Sequence, residues 1–367
     1  MRLRIRSCCF PSRPERGRRW AALALALALA LALALALALL SGCGGEKSED
    51  SSLRLGVALY SQDDTFISIM AKDLEQLVQE EESRIGQKIT LLVSDSRHNQ
   101  TTQMGQVDRF LARGCDVLCI NMVDRTGAAV IVDKAEAEGT PVIFFNRQPV
   151  DEDIRRWEKS FYVGASAQES GALQGQLVLD AWQADPARWD RSGDGVLQYV
   201  MLEGEPGHQD SLLRTEYSVM AITNGGVEVE RLARDTANWN RTQASARMMQ
   251  WIETFGDQIE VILSNNDDMA LGAIDALSET GRPLEDWPMI VGIDATAPAL
   301  EAVEAGQLYG TVLNDSRGQA QAILNLALAL YNGEDPAGAV ELEESHYVWL
   351  PYRQVTRENL SGFLETS

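Results

Sequence analysis

Short runs of β-branched and other apolar residues alternate along the chain with longer stretches whose apolar positions recur every three or four residues. The short runs in the first part of the chain predict strands at Leu53–Tyr60, Ile89–Ser94, Val117–Ile120 and Val142–Phe145. The stretches between them predict helices near Phe66–Glu82, Thr101–Ala112 and Ala128–Glu138. Strands that alternate with helices in this way are typical of a parallel sheet covered by helices on both faces.

A second series of the same kind follows. Its predicted strands are Phe161–Val163, Leu197–Met201, Val227–Leu232, Val261–Ser264 and Met289–Val291. Its predicted helices lie near Gln168–Trp182, Ser211–Ile222, Thr242–Phe255 and Met269–Leu277. The sequence therefore predicts an α/β protein with two Rossmann-like lobes in tandem, each a parallel sheet flanked by helices.

The chain begins with a basic and then strongly apolar segment that belongs to neither lobe. Seven arginines precede Trp20, alanine and leucine alternate from Ala21 to Leu40, and Leu40-Ser41-Gly42-Cys43 follows. A basic start, an apolar run and small residues before a cleavage site are typical of an export signal. The tetrapeptide resembles the lipobox of bacterial lipoproteins, in which the cysteine, here Cys43, is lipid-modified and becomes the new N-terminus.

We therefore expect residues 1–42 to be a signal peptide and residues 43–52 to be a lipidated linker. A run of about 20 apolar residues is also long enough to span a bilayer as a retained anchor. Either outcome places the rest of the chain outside the cytoplasm, in the periplasm or at the cell surface. Its contact with the membrane would be through the lipid anchor alone.

Without the leader, the chain is strongly acidic. It has 32 basic and 54 acidic residues in all, of which residues 1–42 contain seven arginines and one glutamate. The remainder therefore has 25 basic and 53 acidic residues, a net charge of −28. Such a surface offers no positive patch to nucleic acid or to an anionic bilayer, so we expect no nucleic-acid partner.

Polar or aromatic residues follow nearly every predicted strand, where open parallel sheets bind their ligands. In chain order they are Asp63, Asp64, Phe66, Asn121, His208, Asp210, Arg214, Trp239, Asn265, Asn266, Asp267, Asp294 and Asn314. Carboxylates and amides can each bind two neighbouring hydroxyls, and aromatic rings can cover the apolar faces of a pyranose. Singly, such residues often cap helices or fill the core, but together they favour a cleft for a sugar.

Catalytic signals are weak by comparison. The sequence has no common phosphate-loop, dinucleotide, zinc-protease or serine-hydrolase motif, and its three histidines are far apart. Asp63 and Asp64 could be the carboxylate pair of a secreted glycosidase, but adjacent side chains point in different directions. A transcription regulator of similar fold would need a helix-turn-helix before Leu53, where the export leader stands instead. We therefore expect a binding protein and not an enzyme.

A second candidate site lies between Asp190 and Gln198. Oxygen-bearing side chains at positions 1, 3, 5 and 9, glycine at position 6 and a backbone carbonyl at position 7 match the start of an EF-hand calcium loop. Met201 stands where the bidentate acid of that loop would be, so an acid from elsewhere would have to complete the shell. An ordinary turn rich in aspartate and glycine is the alternative.

At these residues the chain resembles the periplasmic galactose/glucose-binding protein family, the receptors of methyl-galactoside-type ABC importers, which have the type I periplasmic-binding-protein fold. The resemblance extends from about Leu53 to Phe363. Its motifs are Tyr60-Ser61-Gln62-Asp63-Asp64-Thr65-Phe66, Ile120-Asn121-Met122-Val123-Asp124, Gly204-Glu205-Pro206-Gly207-His208, Asn265-Asn266-Asp267 and Gly310-Thr311-Val312-Leu313-Asn314-Asp315.

The resemblance implies a hexose ligand, D-glucose or D-galactose, with another monosaccharide or a quorum-sensing furanose as the alternative. The implied hydrogen-bonding residues are Asp64, Asn121, His208, Asp210, Arg214, Asn266, Asp294 and Asn314, and the implied stacking residues are Phe66 and Trp239. Gln209 replaces the proline that usually follows the histidine, which could loosen the loop that presents His208 and Asp210.

The resemblance also implies bound Ca²⁺, because the family completes a nine-residue loop with a distant glutamate. The implied ligands are Asp190, Ser192, Asp194, the Val196 carbonyl, Gln198 and Glu260. Ser192 stands where the family usually has asparagine. We expect its shorter side chain to alter the affinity of the calcium site and not its existence.

Finally, the resemblance implies that the chain crosses between the lobes three times, near Pro141–Phe145, near Asn314 and near Leu350. The N-terminal lobe would comprise residues 53–144 and 315–349, and the C-terminal lobe residues 145–314 and 350–367, joined by a three-segment hinge. The monomeric protein would close around the hexose and deliver it to the permease subunits of an ABC importer. A chemotaxis receptor is a further implied partner.

Overall fold

The computed structural model describes residues 52–364, with only the backbone of the last of these. The predicted signal peptide, Cys43 and nearly all of the predicted linker lie outside the described residues. Within residues 52–364, no helix is long and apolar enough to cross a bilayer.

Strands and helices alternate along the described chain. The first part contains β1 (Leu53–Leu59), α1 (Thr65–Ile85), β2 (Ile89–Asp95), α2 (Gln100–Ala112), β3 (Val117–Ile120), α3 (Ala128–Glu138), β4 (Val142–Phe145), α4 (Asp151–Ile154), β5 (Ser160–Ala165), α5 (Ala167–Ala184) and α6 (Pro186–Trp189). The second contains β6 (Val196–Glu203), α7 (Gln209–Asn224), β7 (Glu228–Thr236), α8 (Arg241–Phe255), β8 (Val261–Ser264), α9 (Asp267–Glu279), β9 (Met289–Val291), α10 (Ala297–Ala305), β10 (Gly310–Leu313), α11 (Ser316–Asn332), β11 (Tyr347–Leu350), β12 (Arg353–Thr356) and α12 (Ser361–Leu364).

Two six-stranded sheets organise these elements into two lobes. The N-terminal lobe has the strand order β11-β5-β4-β3-β1-β2, and all its neighbouring strands are parallel. The C-terminal lobe has the order β12-β10-β9-β8-β6-β7, in which only β12 is antiparallel to its neighbour. This architecture confirms the predicted α/β class with two lobes.

The first predicted crossing between the lobes is wrong. β5, which we assigned with the second series, pairs with β4 and with β11, so it belongs to the N-terminal sheet. The crossing therefore follows Ala165 and does not lie at Pro141–Phe145. Strands and helices alternate in the same way in both lobes, so the hydrophobic periodicity of the sequence does not indicate which of the two sheets a strand joins. The chain crosses again between β10 and α11 and between β11 and β12.

Each sheet is covered by apolar side chains on both faces, which makes the two cores rigid supports for the loops. In the N-terminal lobe, one face packs on α1 and α11 and the other on α2 and α3, through residues such as Leu55, Ile67, Ile323, Leu118, Phe110 and Ile131. In the C-terminal lobe, one face packs on α8, α9 and α10 and the other on α5 and α7. The loops at the carboxyl ends of the parallel strands are left free to bind a ligand.

Candidate functional site

A cavity lies between the two lobes at the carboxyl ends of their strands. Eleven residues line it: Tyr60, Asp64, Phe66, Asn146, His208, Asp210, Arg214, Trp239, Asn266, Asp294 and Asn314. The empty space among them is about 350 Å³ and includes part of the open cleft. Residues distant in sequence meet here because they follow seven different strands of the two sheets, β1, β4, β6, β7, β8, β9 and β10.

Nine of the ten side chains predicted to bind the hexose line this cavity, and Asn121 is the exception. Asn121 is completely buried; its Oδ1 accepts from the Tyr60 N–H at 3.2 Å, and its Nδ2 donates to Phe145 O at 3.2 Å and Asn146 Oδ1 at 3.1 Å. It thus holds two lining residues, Tyr60 and Asn146. A direct contact between Asn121 and a ligand stays a prediction.

Tyr60 and Asn146 also line the cavity but are not among the residues predicted to bind the hexose. Both directly follow a strand, β1 and β4 respectively. Asn146 could have been found by applying the strand-end rule to β4 as well. Tyr60 could not, because an apolar-looking tyrosine at the end of a buried strand is usually part of the core.

The two predicted stacking residues, Phe66 and Trp239, line the cavity from opposite lobes. Phe66 stands in the first turn of α1 and is buried. Trp239 follows β7 with a φ of 61°, and its ring contacts the His208 ring edge-on at 5.2 Å between centroids. Gly204 lies directly behind the indole, where an added β-carbon would meet Cη2 and Cζ2 at 2.2 Å. The absence of a side chain at Gly204 therefore permits the position of the ring.

Arg214 is the one cation among the lining residues and is almost completely buried. It donates to the Asn265 carbonyl at 2.9 Å, to Asp210 Oδ2 at 3.2 Å and to the Tyr352 hydroxyl at 3.1 Å, and Asp294 Oδ1 lies 4.0 Å away. Its Nε is buried without a hydrogen-bond partner among the described residues. A buried donor without a partner is costly, so this N–H is available to a bound hydroxyl.

Asp294 has the most unusual backbone of the lining residues, with a φ of 124°. Its Oδ1 accepts from Asn314 Nδ2 at 3.3 Å, and burial raises the pKa of its carboxyl well above the ordinary range, partly opposed by Arg214. Asp267 stabilises the loop between β9 and α10 that contains Asp294. Its two carboxylate oxygens accept hydrogen bonds from the Thr296 N–H at 2.8 Å and from the Thr311 hydroxyl at 2.7 Å. Burial raises the pKa of Asp267 to about 6.

His208 presents a neutral ring to the cavity. Burial, with the nearby arginines, lowers the pKa of its imidazole well below the ordinary value. Its Nδ1 accepts from the Asp210 N–H at 3.1 Å, so the proton of the neutral ring is on Nε2. The ring therefore offers one donor to a ligand and carries no charge.

Several lining residues also cap helices, which was the alternative interpretation of the strand-end pattern. Asp64 caps α1 by accepting from the Ile67 N–H at 2.9 Å, and Asn266 caps α9 by accepting from the Met269 N–H at 3.0 Å. The two roles do not exclude each other, since a cap uses one oxygen lone pair. Capping instead fixes the side chain at the edge of the cavity before any ligand arrives.

The two lobes are in contact across the cleft. Thr65 in α1 donates from its hydroxyl to Asp268 Oδ2 at 2.5 Å, and Gln209 Nε2 donates to Gln148 Oε1 at 3.3 Å. A site made of three carboxylates, one guanidinium, three amides, a neutral imidazole and the rings of Tyr60, Phe66 and Trp239 suits an uncharged ligand with many hydroxyls. Such a ligand would be held from both lobes in this closed arrangement.

The predicted calcium loop runs from Asp190 into the start of β6. Asp190 accepts backbone N–H groups from Gly193 at 2.7 Å and Gly195 at 2.9 Å, and Asp194 Oδ1 accepts from the Val196 N–H at 2.9 Å. Both glycines have positive φ, 72° and 79°, as a tight loop requires. The described residues include no cluster of three or more acidic, histidine or cysteine ligands, so carbonyl, hydroxyl and amide oxygens would complete any shell.

Glu260 lies against this loop despite being distant in sequence. Its Oε1 accepts from the Arg191 N–H at 2.7 Å and its Oε2 from the Gln198 N–H at 2.9 Å. The carboxyl is almost completely buried, and this burial raises its pKa. Gln198 Oε1 is buried without a partner among the described residues. An oxygen-rich loop, a buried carboxylate and an orphaned amide oxygen together fit a hard cation such as Ca²⁺.

Comparison with known proteins gives consistent matches over most of the chain. A family model described as a periplasmic binding protein domain matches residues 55–335. A D-galactose/methyl-galactoside binding periplasmic protein of Haemophilus influenzae is 38% identical over 314 residues, which are 85% of this chain and 92% of that protein. A xylitol-binding protein of Mycolicibacterium smegmatis is 29% identical over 294 residues, which are 80% of this chain and 76% of that protein.

A solved structure has the same fold. The ABC transporter solute binding protein of Bacillus halodurans, crystallised with bound myo-inositol, aligns with a TM-score of 0.72 at 29% identity. The alignment covers 87% of this chain and all of that chain. The similar proteins thus bind different small polyols and sugars, while their two-lobed fold is shared.

Proposed function

Because the chain belongs to the periplasmic binding protein family, as a sugar-binding component of an ABC transporter and not an enzyme, we propose that its ligand is a hexose, D-galactose or D-glucose. The hexose is captured between the closing lobes and delivered to the permease of the importer. One observation carries the proposal: nine side chains predicted to bind a hexose line a single cavity.

The composition of the cavity supports a pyranose. Phe66 and Trp239 approach from opposite lobes and can cover the two apolar faces of the ring. Asp64, Asp210 and Asp294 accept hydrogen bonds from hydroxyls, and Arg214 donates to hydroxyl or ring oxygens. A cyclic polyol such as myo-inositol also has many hydroxyls but no ring oxygen, and it is the second candidate because a structural relative holds it.

A thermal-shift panel tests the proposal. The protein is unfolded, dialysed and refolded to remove any retained ligand, and its melting temperature is measured with D-galactose, D-glucose, D-ribose, D-xylose and myo-inositol. We expect the two hexoses to bind most tightly and therefore to give the largest shifts. A ligand at 100 times its Kd stabilises the folded protein by about 2.7 kcal/mol. A Trp239→Ala variant should lose these shifts. A larger shift with myo-inositol or a pentose would contradict the hexose assignment.

We further propose that Asp190, Ser192, Asp194, Val196, Gln198 and Glu260 bind a structural Ca²⁺ ion. The ion would neutralise the buried Glu260 carboxylate and give Gln198 Oε1 the partner that it lacks. Terbium is a suitable probe because Trp189 directly precedes the loop and can sensitise its luminescence. We expect saturable luminescence that Ca²⁺ displaces; a signal that stays the same in a Glu260→Gln variant would contradict the site.

Lipid attachment at Cys43 and binding to a chemotaxis receptor are also part of the proposal. Radioactive palmitate should label the wild-type precursor and not a Cys43→Ser variant, and a mature protein that keeps Trp20 would contradict lipidation. Receptor binding would require swimming cells to move toward the same hexose in a manner that depends on this protein. Uptake without such movement would limit the partner to the importer.

A further inference from the structure

Arg147 is not one of the eleven residues that line the cavity, but it contacts both lobes. It follows β4 in the N-terminal lobe, and only 7% of its surface is exposed. Its Nη1 donates to the Val123 carbonyl at 3.1 Å, which holds it against the loop after β3. Its Nη2 pairs with Glu205 Oε2 at 2.5 Å, and Glu205 belongs to the loop after β6 in the C-terminal lobe.

The same guanidinium lies over an aromatic ring. Its central carbon is 3.6 Å from the centroid of the Tyr60 ring, which is well within cation–π range. The Tyr60 hydroxyl donates to Asp64 Oδ2 at 2.5 Å. A cation over the face of a phenol draws electron density from the ring and makes the hydroxyl a stronger donor. Arg147 therefore acts on the Asp64 carboxylate through Tyr60.

We propose that Arg147 is a positioning residue that couples closure of the two lobes to the orientation of the Asp64 carboxylate. This inference rests on the proposed sugar-binding function and extends it to a residue outside the cavity wall. Glu205 is in the opposite lobe, so its ion pair with Arg147 forms as the lobes close and breaks as they open. The pair retains the sugar by slowing the opening of the cleft.

This ion pair is more buried than the ion pairs on the surface of the described chain. The Arg147 side chain is 8% exposed and that of Glu205 is 34% exposed. By contrast, Arg317 and Glu80, which join α11 to α1 within one lobe, are 44% and 50% exposed. Exposed pairs contribute little because solvent screens them, whereas breaking a buried, hydrogen-bonded pair mainly accelerates dissociation. Arg317→Met is therefore a matched control for Arg147→Met.

Stopped-flow fluorescence of the full-length protein tests the coupling. The sugar dissociation rate is measured for the wild type, Arg147→Met, Arg147→Lys, Glu205→Gln and the Arg317→Met control. We expect dissociation about tenfold faster for Arg147→Met and for Glu205→Gln, with association changed much less. Lysine keeps the charge but not the flat guanidinium, so Arg147→Lys should give an intermediate rate. The control should match the wild type.

A second comparison isolates the effect through Tyr60. Arg147→Met should weaken equilibrium sugar binding more than Glu205→Gln does, because it removes the cation over the ring as well as the ion pair. That excess should disappear in a Tyr60→Phe background, where no hydroxyl reaches Asp64. An excess that persists in this background would overturn the link between Arg147 and Asp64.

The kinetic outcomes are equally decisive. Wild-type dissociation in Arg147→Met would overturn the inference, as would unchanged dissociation in Glu205→Gln, because closure would then not depend on the ion pair. If Arg147→Met does not fold, the Arg147→Lys and Glu205→Gln variants carry the test. Absence of sugar binding by the wild-type protein would instead overturn the proposed function, and this inference with it.

Discussion

Gly204→Ala should weaken sugar binding without unfolding the protein. Gly204 is not among the glycines with positive φ, so its backbone accepts alanine without strain. The new β-carbon would stand 2.2 Å from the Trp239 ring, and the ring would have to withdraw by about 1.2 Å to reach ordinary contact at 3.4 Å. This movement takes the indole away from the face of the sugar that it is proposed to cover.

The size of the effect follows from what the indole contributes. A stacked aromatic contact is worth about 1 kcal/mol beyond the area that it buries, and covering roughly 40 Å² of apolar sugar surface adds about 1 kcal/mol. Losing both, about 2 kcal/mol, corresponds to affinity weaker by about 30-fold. Intrinsic tryptophan fluorescence titration measures the affinity, and a melting curve checks the fold.

Gly105→Ala is the matched control for this substitution. Gly105 is in α2, away from the cleft, and the nearest atom to an added β-carbon would be 3.6 Å away. Its affinity should equal that of the wild type. Wild-type affinity in Gly204→Ala would refute the reasoning, since it would mean that Trp239 does not contact the ligand.

Three further predictions concern charge. Burial raises the pKa of Asp267 from 3.8 to about 6 and that of Asp294 well above its ordinary range, so the sugar-free fold should lose stability as pH rises from about 4 to 6. Asp294→Asn removes one of these buried carboxyls, so the stability of the variant should depend less on pH and its melting temperature at pH 7 should rise by about 2 °C. The variant should also lose sugar binding. A lower melting temperature would contradict the raised pKa of Asp294. Arg214→Met should cost about 3–5 kcal/mol in urea unfolding, because it leaves buried carboxylates without their cation, and a cost below about 1 kcal/mol would contradict that role. Chelation of Ca²⁺ should lower the melting temperature of the wild type but not of Glu260→Gln; equal shifts would contradict the proposed calcium site.

The fold could be predicted from the sequence at the level of its class. Buried strands such as β3 and β8 are short, fully apolar and bounded by polar residues, so periodicity finds them readily. The assignment of β5 to the wrong lobe has a different origin. Only 14 residues separate β4 from β5, and the pattern of these residues does not indicate whether the next strand joins the same sheet. The place of β5 is set by its pairing with β4 and with β11, which lies near the end of the chain.

Nine of the eleven residues that line the cavity could be predicted because one rule, the position of polar residues after parallel strands, brings distant residues together. The rule does not give side-chain direction. Asn121 follows β3 as expected, but its amide is used within the lobe, and Asn146 takes the lining position. Arg147 could not be found at all, since its importance comes from a partner in the other lobe, Glu205.

Isothermal titration calorimetry of the refolded, ligand-free protein with D-galactose and D-glucose tests the hexose assignment most directly. We expect one site per chain and a Kd at or below about 1 μM for at least one of the two sugars, which corresponds to about −8 kcal/mol or stronger. In competition, myo-inositol, D-xylose and D-ribose should bind at least tenfold more weakly. No heat with either hexose, or tighter binding of one of the competitors, would contradict the assignment.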